Sequence, residues 1–139
     1  MQEWPLRSYL ELRALPESVR PARRHARTTL RDWQLAVLTD TVELLVSEVI
    51  TNAVHASADA GDRLLPPHAS WLRFWLTSDR DRVLIQVWDS DHGTPARRNV
   101  DPDAEAGRGL LLVESLSTRW GWYAPAGLHG KIVWAVCAR

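Results

Sequence analysis

The sequence predicts an α+β fold: a two-layer α/β sandwich in which helices gather on one face of a mainly antiparallel sheet. Two observations lead there. Helical periodicity dominates the first part of the chain, whereas strand-like segments follow in adjacent pairs joined by short turns. Those neighbouring strands also lack the crossover helices that a doubly wound parallel sheet requires. A length of 139 residues suits one domain with one core, so residues 1–139 are expected to fold as a single unit.

Residues 1–16 contain the alternation SYLELRAL, which fits a possible edge strand within 1–14. From Glu17 the pattern changes. Val19, Ala22, Ala26, Leu30 and Trp33 form a helical stripe with arginines on the opposite face, giving a first helix over roughly 18–34 with Pro21 near its first turn. Asp40-Thr-Val-Glu43 reads as a variant capping box opening a second helix that runs to about Ser57. Along it, Val42, Leu45, Val46, Val49, Ile50 and Ala53 follow the i, i+3, i+4, i+7 spacing. At about 100° per residue, Glu48 and Asn52 project together on one flank of that stripe.

ADAGDRLLPPHAS (58–70) then breaks the helix, and SWLRFWLT and RVLIQVWD form a hairpin across SDRD at 78–81. Asp89 to Gly107 has no sustained period and reads as a long loop with room for a short helix; loops of that length in small domains are usually functional or mobile. GRGLLLVESLSTRW (107–120) predicts a third helix started by a glycine turn. WGWYAP and KIVWAVCA predict a closing hairpin.

Basic and acidic residues balance at 17 each, so no global field draws the chain to nucleic acid or to an anionic membrane. Neither partner is expected. Cys137 is the only cysteine, no charged leader with an apolar run opens the chain, and no apolar stretch is long enough to span a bilayer; a cytoplasmic protein is the simplest expectation. One cysteine and five scattered histidines give no support to a zinc-type site. Of the unusual features, the 8 tryptophans read first as core filling, with aromatic platforms for a partner or base as the alternative. Lys131 is the only lysine, which argues against a mechanism needing a catalytic one.

Three separate features could carry chemistry. Glu48 and Asn52, one helical turn apart, are either a solvated flank or a carboxylate and amide aimed at a ligand. Asp89, ending the run Val83-Leu-Ile-Gln-Val-Trp88, is either a turn-forming residue or an acceptor for an exocyclic amine. Gly107-Arg108-Gly109 before a helix lets backbone N–H groups approach a phosphate, though such a motif also occurs by chance.

In this order and spacing they resemble the N, G1 and G2 boxes of the GHKL (Bergerat-fold) ATP-binding family, across residues 15–137. SEVITNAV (47–54) resembles the N box, VWDSDHGTP (87–95) the G1 box, and GRGLLLVESLSTRWG (107–121) the G2 box and its helix. Within the family, the short chain, the front helix SVRPARRHARTTL and the final GKIVWAV look most like anti-sigma-factor serine/threonine kinases and related small bacterial regulators.

The resemblance implies ATP and Mg²⁺ as ligands, with Asn52 as the metal ligand through its amide oxygen, which suits a hard cation. Glu48 would be the catalytic base toward a serine hydroxyl. Asp89 would recognise the adenine amine, with Gly93 as the G1 glycine. Gly107, Gly109 and Leu110 would stand where a lid meets the third helix and its N-terminal amides, and Arg108 either adds charge there or is an exposed loop arginine.

The chain departs from the family pattern in three places. Asp91 stands where the first G1 glycine is usual, so a register on Asp91-His92-Gly93 is an alternative to Asp89. His55 takes the basic position after the N box, as a phosphate neighbour or a structural histidine, and the usual histidine is absent. The 90–106 loop lacks a glycine-rich run.

The expected partners are a sigma factor or other regulatory protein and an anti-sigma-factor antagonist, and the resemblance also allows a homodimer. Histidine autophosphorylation is not expected, since no dimerisation helix with a phosphoacceptor is recognisable. The rival expectation is a regulatory module that binds its partner with or without ATP and transfers no phosphate.

Overall fold

The computed structural model describes residues 4–57 in full, the backbone of 58–60, and residues 70–91, 113–127 and 129–139. Among the described residues, five strands form one sheet: β1 (Leu6–Arg13), β2 (Trp71–Ser78), β3 (Arg82–Asp89), β4 (Arg119–Tyr123) and β5 (Lys131–Ala138), in the spatial order β1-β2-β3-β5-β4. Every pairing is antiparallel. Two helices, α1 (Val19–Asp32) and α2 (Thr39–Ala60), pack against each other and over one face of the sheet, with α2 lying on β3 and β5. The α+β sandwich expected from the sequence is the observed architecture.

The core follows from the two periodicities. Leu72, Phe74 and Leu76 of β2, Val83, Ile85 and Val87 of β3, and Val133, Ala135 and Cys137 of β5 alternate onto the inner face. There they meet Ala22, Ala26 and Leu30 of α1 and the whole predicted stripe of α2, from Val42 to Ala53, in one continuous cluster. Across the seam between α1 and the sheet, Ser8 of β1 and His25 share a hydrogen bond, and burial holds the His25 ring below its ordinary pKa.

Two helix boundaries differ from expectation. Asp40 and Glu43 do not form a capping box: a 3₁₀ turn at Ala36–Leu38 leads straight into α2 at Thr39, placing Asp40 inside the first turn. The buried Glu43 carboxylate instead accepts a hydrogen bond from Arg27 Nη2 at 2.7 Å, tying α2 to α1. At the other end of the chain, helical residues 113–116 stop short of position 120. The Thr118 N–H donates to Val136 O at 2.8 Å, so the sheet captures the backbone before another helical turn can form.

The tryptophans do not fill the core. None of the 8 is buried, because Trp71, Trp75, Trp88 and Trp134 alternate in the opposite phase to the aliphatic residues of their strands. They lie on the outer face of the sheet. There Tyr9 stacks at a tilt on Trp75 with centroids 5.3 Å apart, Arg73 and Arg13 lie over Trp88 and Trp71, and the Trp134 indole fills the space that a side chain at Gly121 would need. Trp33 and Trp120 pack partly against the core edge. Among the described residues, no helix is long and apolar enough to cross a membrane.

Candidate functional site

Asn52 is the first unusual polar group. It sits on α2 beside the apolar stripe and is 3% exposed, yet among the described residues neither its amide oxygen nor its amide nitrogen has a hydrogen-bond partner. Leaving a buried polar atom unpaired costs about 1–3 kcal/mol, so a carboxamide with both ends unpaired calls for a ligand or another explanation. Glu48, one turn earlier, is half-buried on the same flank. His55 is also half-buried.

Asp89 is the second. It is the last residue of β3 and lies fully buried on the inner face, in phase with Val83, Ile85 and Val87. Directly opposite, Lys131 opens β5 in phase with Val133, Ala135 and Cys137, and it too is fully buried. The two side chains meet with Nζ 2.9 Å from Asp89 Oδ1. Asp91, 7% exposed, approaches the same ammonium through Oδ2 at 3.4 Å.

The Asp91 N–H also donates to Asp89 Oδ1 at 2.9 Å, an Asx turn that ends the strand. Asp89 is thus a turn former through one oxygen. Its second oxygen, Oδ2, has no partner among the described residues. Burial raises the Asp89 pKa from 3.8 to about 6, and the Lys131 charge and hydrogen bond oppose that rise. At neutral pH the carboxyl is therefore mainly ionised and an acceptor only.

The connection from β4 to β5 buttresses this corner. Gly130 has φ 97°, a left-handed conformation, and a Cβ there would collide with the Asp89 carbonyl oxygen. The Trp88 indole N–H donates to His129 O at 2.6 Å, clamping the turn against the end of β3.

Of the residues singled out in the sequence, Glu48, Asn52 and Asp89 fall on the helix and strand from which α2 and β3 build their interface. Asp91, the alternative in the G1 register, shares its cation with Asp89 instead of replacing it. Gly93, Gly107, Arg108, Gly109 and Leu110 lie outside the described residues. Lys131 was missed as a site residue. Its signal was present, since a lysine in phase with Val133, Ala135 and Cys137 is bound inward, where an unpaired ammonium is costly.

The donor set fits a nucleotide with its divalent cation. An amide oxygen with no protein partner suits a hard cation that keeps most of its waters, and an unpartnered carboxylate oxygen suits an amine. Among the described residues, no group of three His, Cys, Asp or Glu side chains could hold a metal by itself. A family model described as "Histidine kinase-like ATPase domain" matches residues 12–136. No curated protein matches the chain.

Proposed function

Because the chain belongs to the histidine kinase-like ATPase domain family, which supports ATP binding, we propose that it is an ATP- and Mg²⁺-dependent regulator of the anti-sigma-factor type with protein serine/threonine kinase activity. The observation that carries the reading is the set of unpartnered buried atoms, the Asn52 carboxamide and Asp89 Oδ2. They belong to the segments that resemble the N and G1 boxes, for which the resemblance implies a metal ligand and an adenine acceptor.

In this reading Asn52 holds Mg²⁺ through its amide oxygen, and the cation, when bound, neutralises phosphate charge. Asp89 accepts the adenine amine at Oδ2, while Lys131 and the Asp91 N–H fix the carboxylate through Oδ1. Glu48 takes the proton from a serine or threonine hydroxyl of an antagonist protein. The new oxygen–phosphorus bond forms as the bond to ADP breaks, and the proton stays on the Glu48 carboxylate. Phosphorylation adds charge to the antagonist surface and weakens its complex, freeing this chain to hold a sigma factor or similar partner.

Calorimetric titration with ATP and GTP in the presence of Mg²⁺, on wild type and Asp89→Asn, tests the nucleotide site. ATP is expected to bind in preference to GTP and to lose affinity in the variant; binding indifferent to both base and Asp89 would sink the reading. Glu48→Ala tests the chemistry, with transfer lost and ATP binding largely kept. Equal transfer by wild type and variant removes Glu48 as the base, and ATP binding with no transfer by wild type leaves a binding module.

A further inference from the structure

The polar atoms left over at the end of β3 are a donor beside an acceptor. Lys131 Nζ directs hydrogens to Asp89 Oδ1 at 2.9 Å and Asp91 Oδ2 at 3.4 Å, which accounts for two of the three that an ammonium carries. Asp89 Oδ1 serves Lys131 and the Asp91 N–H, while Oδ2 meets no donor. Both side chains are fully buried. Among the described residues, one N–H and one carboxylate oxygen, on side chains locked together, thus remain unmatched where water is excluded, and low dielectric makes such atoms selective for a complementary partner.

Resting on the reading that this chain binds ATP, we infer that Lys131 is a base-reading residue, donating to adenine N1 while Asp89 accepts the neighbouring amine. The Watson–Crick edge of adenine carries an amine donor next to a ring-nitrogen acceptor, the complement of Oδ2 beside Nζ. Guanine in the same position turns a carbonyl oxygen toward the carboxylate and an N–H toward the ammonium. Both contacts become repulsive, whereas a lone aspartate opposes only the first. Lys131 therefore does more than neutralise Asp89: it doubles the number of atoms at which the wrong purine is rejected.

The analogue 1-deaza-ATP isolates the contact, because it replaces N1 by C–H and keeps the amine, the sugar and the phosphates. Titrated with Mg²⁺, wild type is expected to bind ATP about ten- to a hundredfold more tightly than the analogue, the range for a hydrogen bond to a charged group. Lys131→Met is expected to bind the two ligands equally. Since that variant leaves Asp89 buried without its cation, Lys131→Met/Asp89→Asn, which removes both charges, is measured beside it with the same expectation.

Equal binding of ATP and 1-deaza-ATP by wild type overturns the inference and leaves ATP binding standing. So does discrimination that persists in a folded variant lacking Lys131. No binding of ATP by wild type overturns the reading beneath it, and the inference falls with it.

Discussion

Asp89 and Lys131 stand directly opposite each other on β3 and β5, both 0% exposed, joined by an ion pair of 2.9 Å. Burial outweighs the pairing: the Asp89 pKa stays above its ordinary value, at about 6. The free protein therefore holds a carboxylate whose charge works against folding and whose second oxygen is ready for a donor.

That pKa fixes the sign of a pH dependence. The folded chain binds the Asp89 proton more tightly than the unfolded chain, so this residue's contribution is most favourable below pH 4 and is lost as pH rises to about 6. The rise from 3.8 to about 6 corresponds to up to about 3 kcal/mol. Urea unfolding of wild type and Asp89→Asn at pH 4, 5, 6, 7 and 8 should show wild type losing stability relative to the variant through the folded pKa of about 6, then a constant difference at the highest pH. A difference that does not change with pH contradicts the burial argument.

Gly130→Ala should be the most damaging conservative change near this corner. The added Cβ needs a left-handed backbone and runs into the Asp89 carbonyl oxygen, so the end of β3 must move. A loss of about 3 kcal/mol or more is expected in thermal or urea unfolding. Gly127→Ala, at φ 74° with open space around it, should cost only about 1 kcal/mol.

Gln34→Gly should stabilise the protein. Gln34 has φ 60° just past the end of α1, where its N–H donates to Arg31 O at 3.1 Å and the Leu35 N–H to Leu30 O at 2.8 Å. That is a Schellman ending with glutamine in the place that favours glycine. Relief of left-handed strain, less the extra freedom of glycine in the unfolded chain, predicts a gain of about 0.5–1 kcal/mol. A lower melting temperature for the variant would contradict it.

Arg27→Ala should cost about 1 kcal/mol, because Glu43 is buried at the junction of α1 and α2 and Arg27 is its 2.7 Å partner. The half-exposed arginine keeps the figure small. Arg24→Ala, on the same helix, should fall within about 0.5 kcal/mol of wild type. Similar losses for both would mean that the Glu43 contact carries no special weight.

The elements were legible because their signals are local. Alternation in RVLIQVWD and KIVWAVCA and the 3.6-residue spacing of α2 each need only neighbouring residues to be read. What failed were assignments with two local solutions. Asp40 and Glu43 have capping-box spacing, but Arg27, a residue of another helix, claims the Glu43 carboxylate. The tryptophans sit in strands as expected, yet alternation does not say which phase faces the helices, and the smaller aliphatic phase faces inward. The expected third helix gives way to the sheet at Thr118 because Val136, 18 residues later, supplies the hydrogen-bond partner.

By itself, the sequence determined the α+β class, the positions of α2 and of the strands, and the presence of Glu48, Asn52 and Asp89 on them, since backbone periodicity and turn chemistry act over a few residues. Tertiary structure alone decided the partner of Asp89. Lys131 lies 42 residues further along the chain, and only the insertion of β5 between β3 and β4 sets the two side by side. A strand's register is fixed by the core it must cover, so burying Val133, Ala135 and Cys137 carried Lys131 inward to the Asp89 carboxylate opposite and the Asp91 carboxylate beside it.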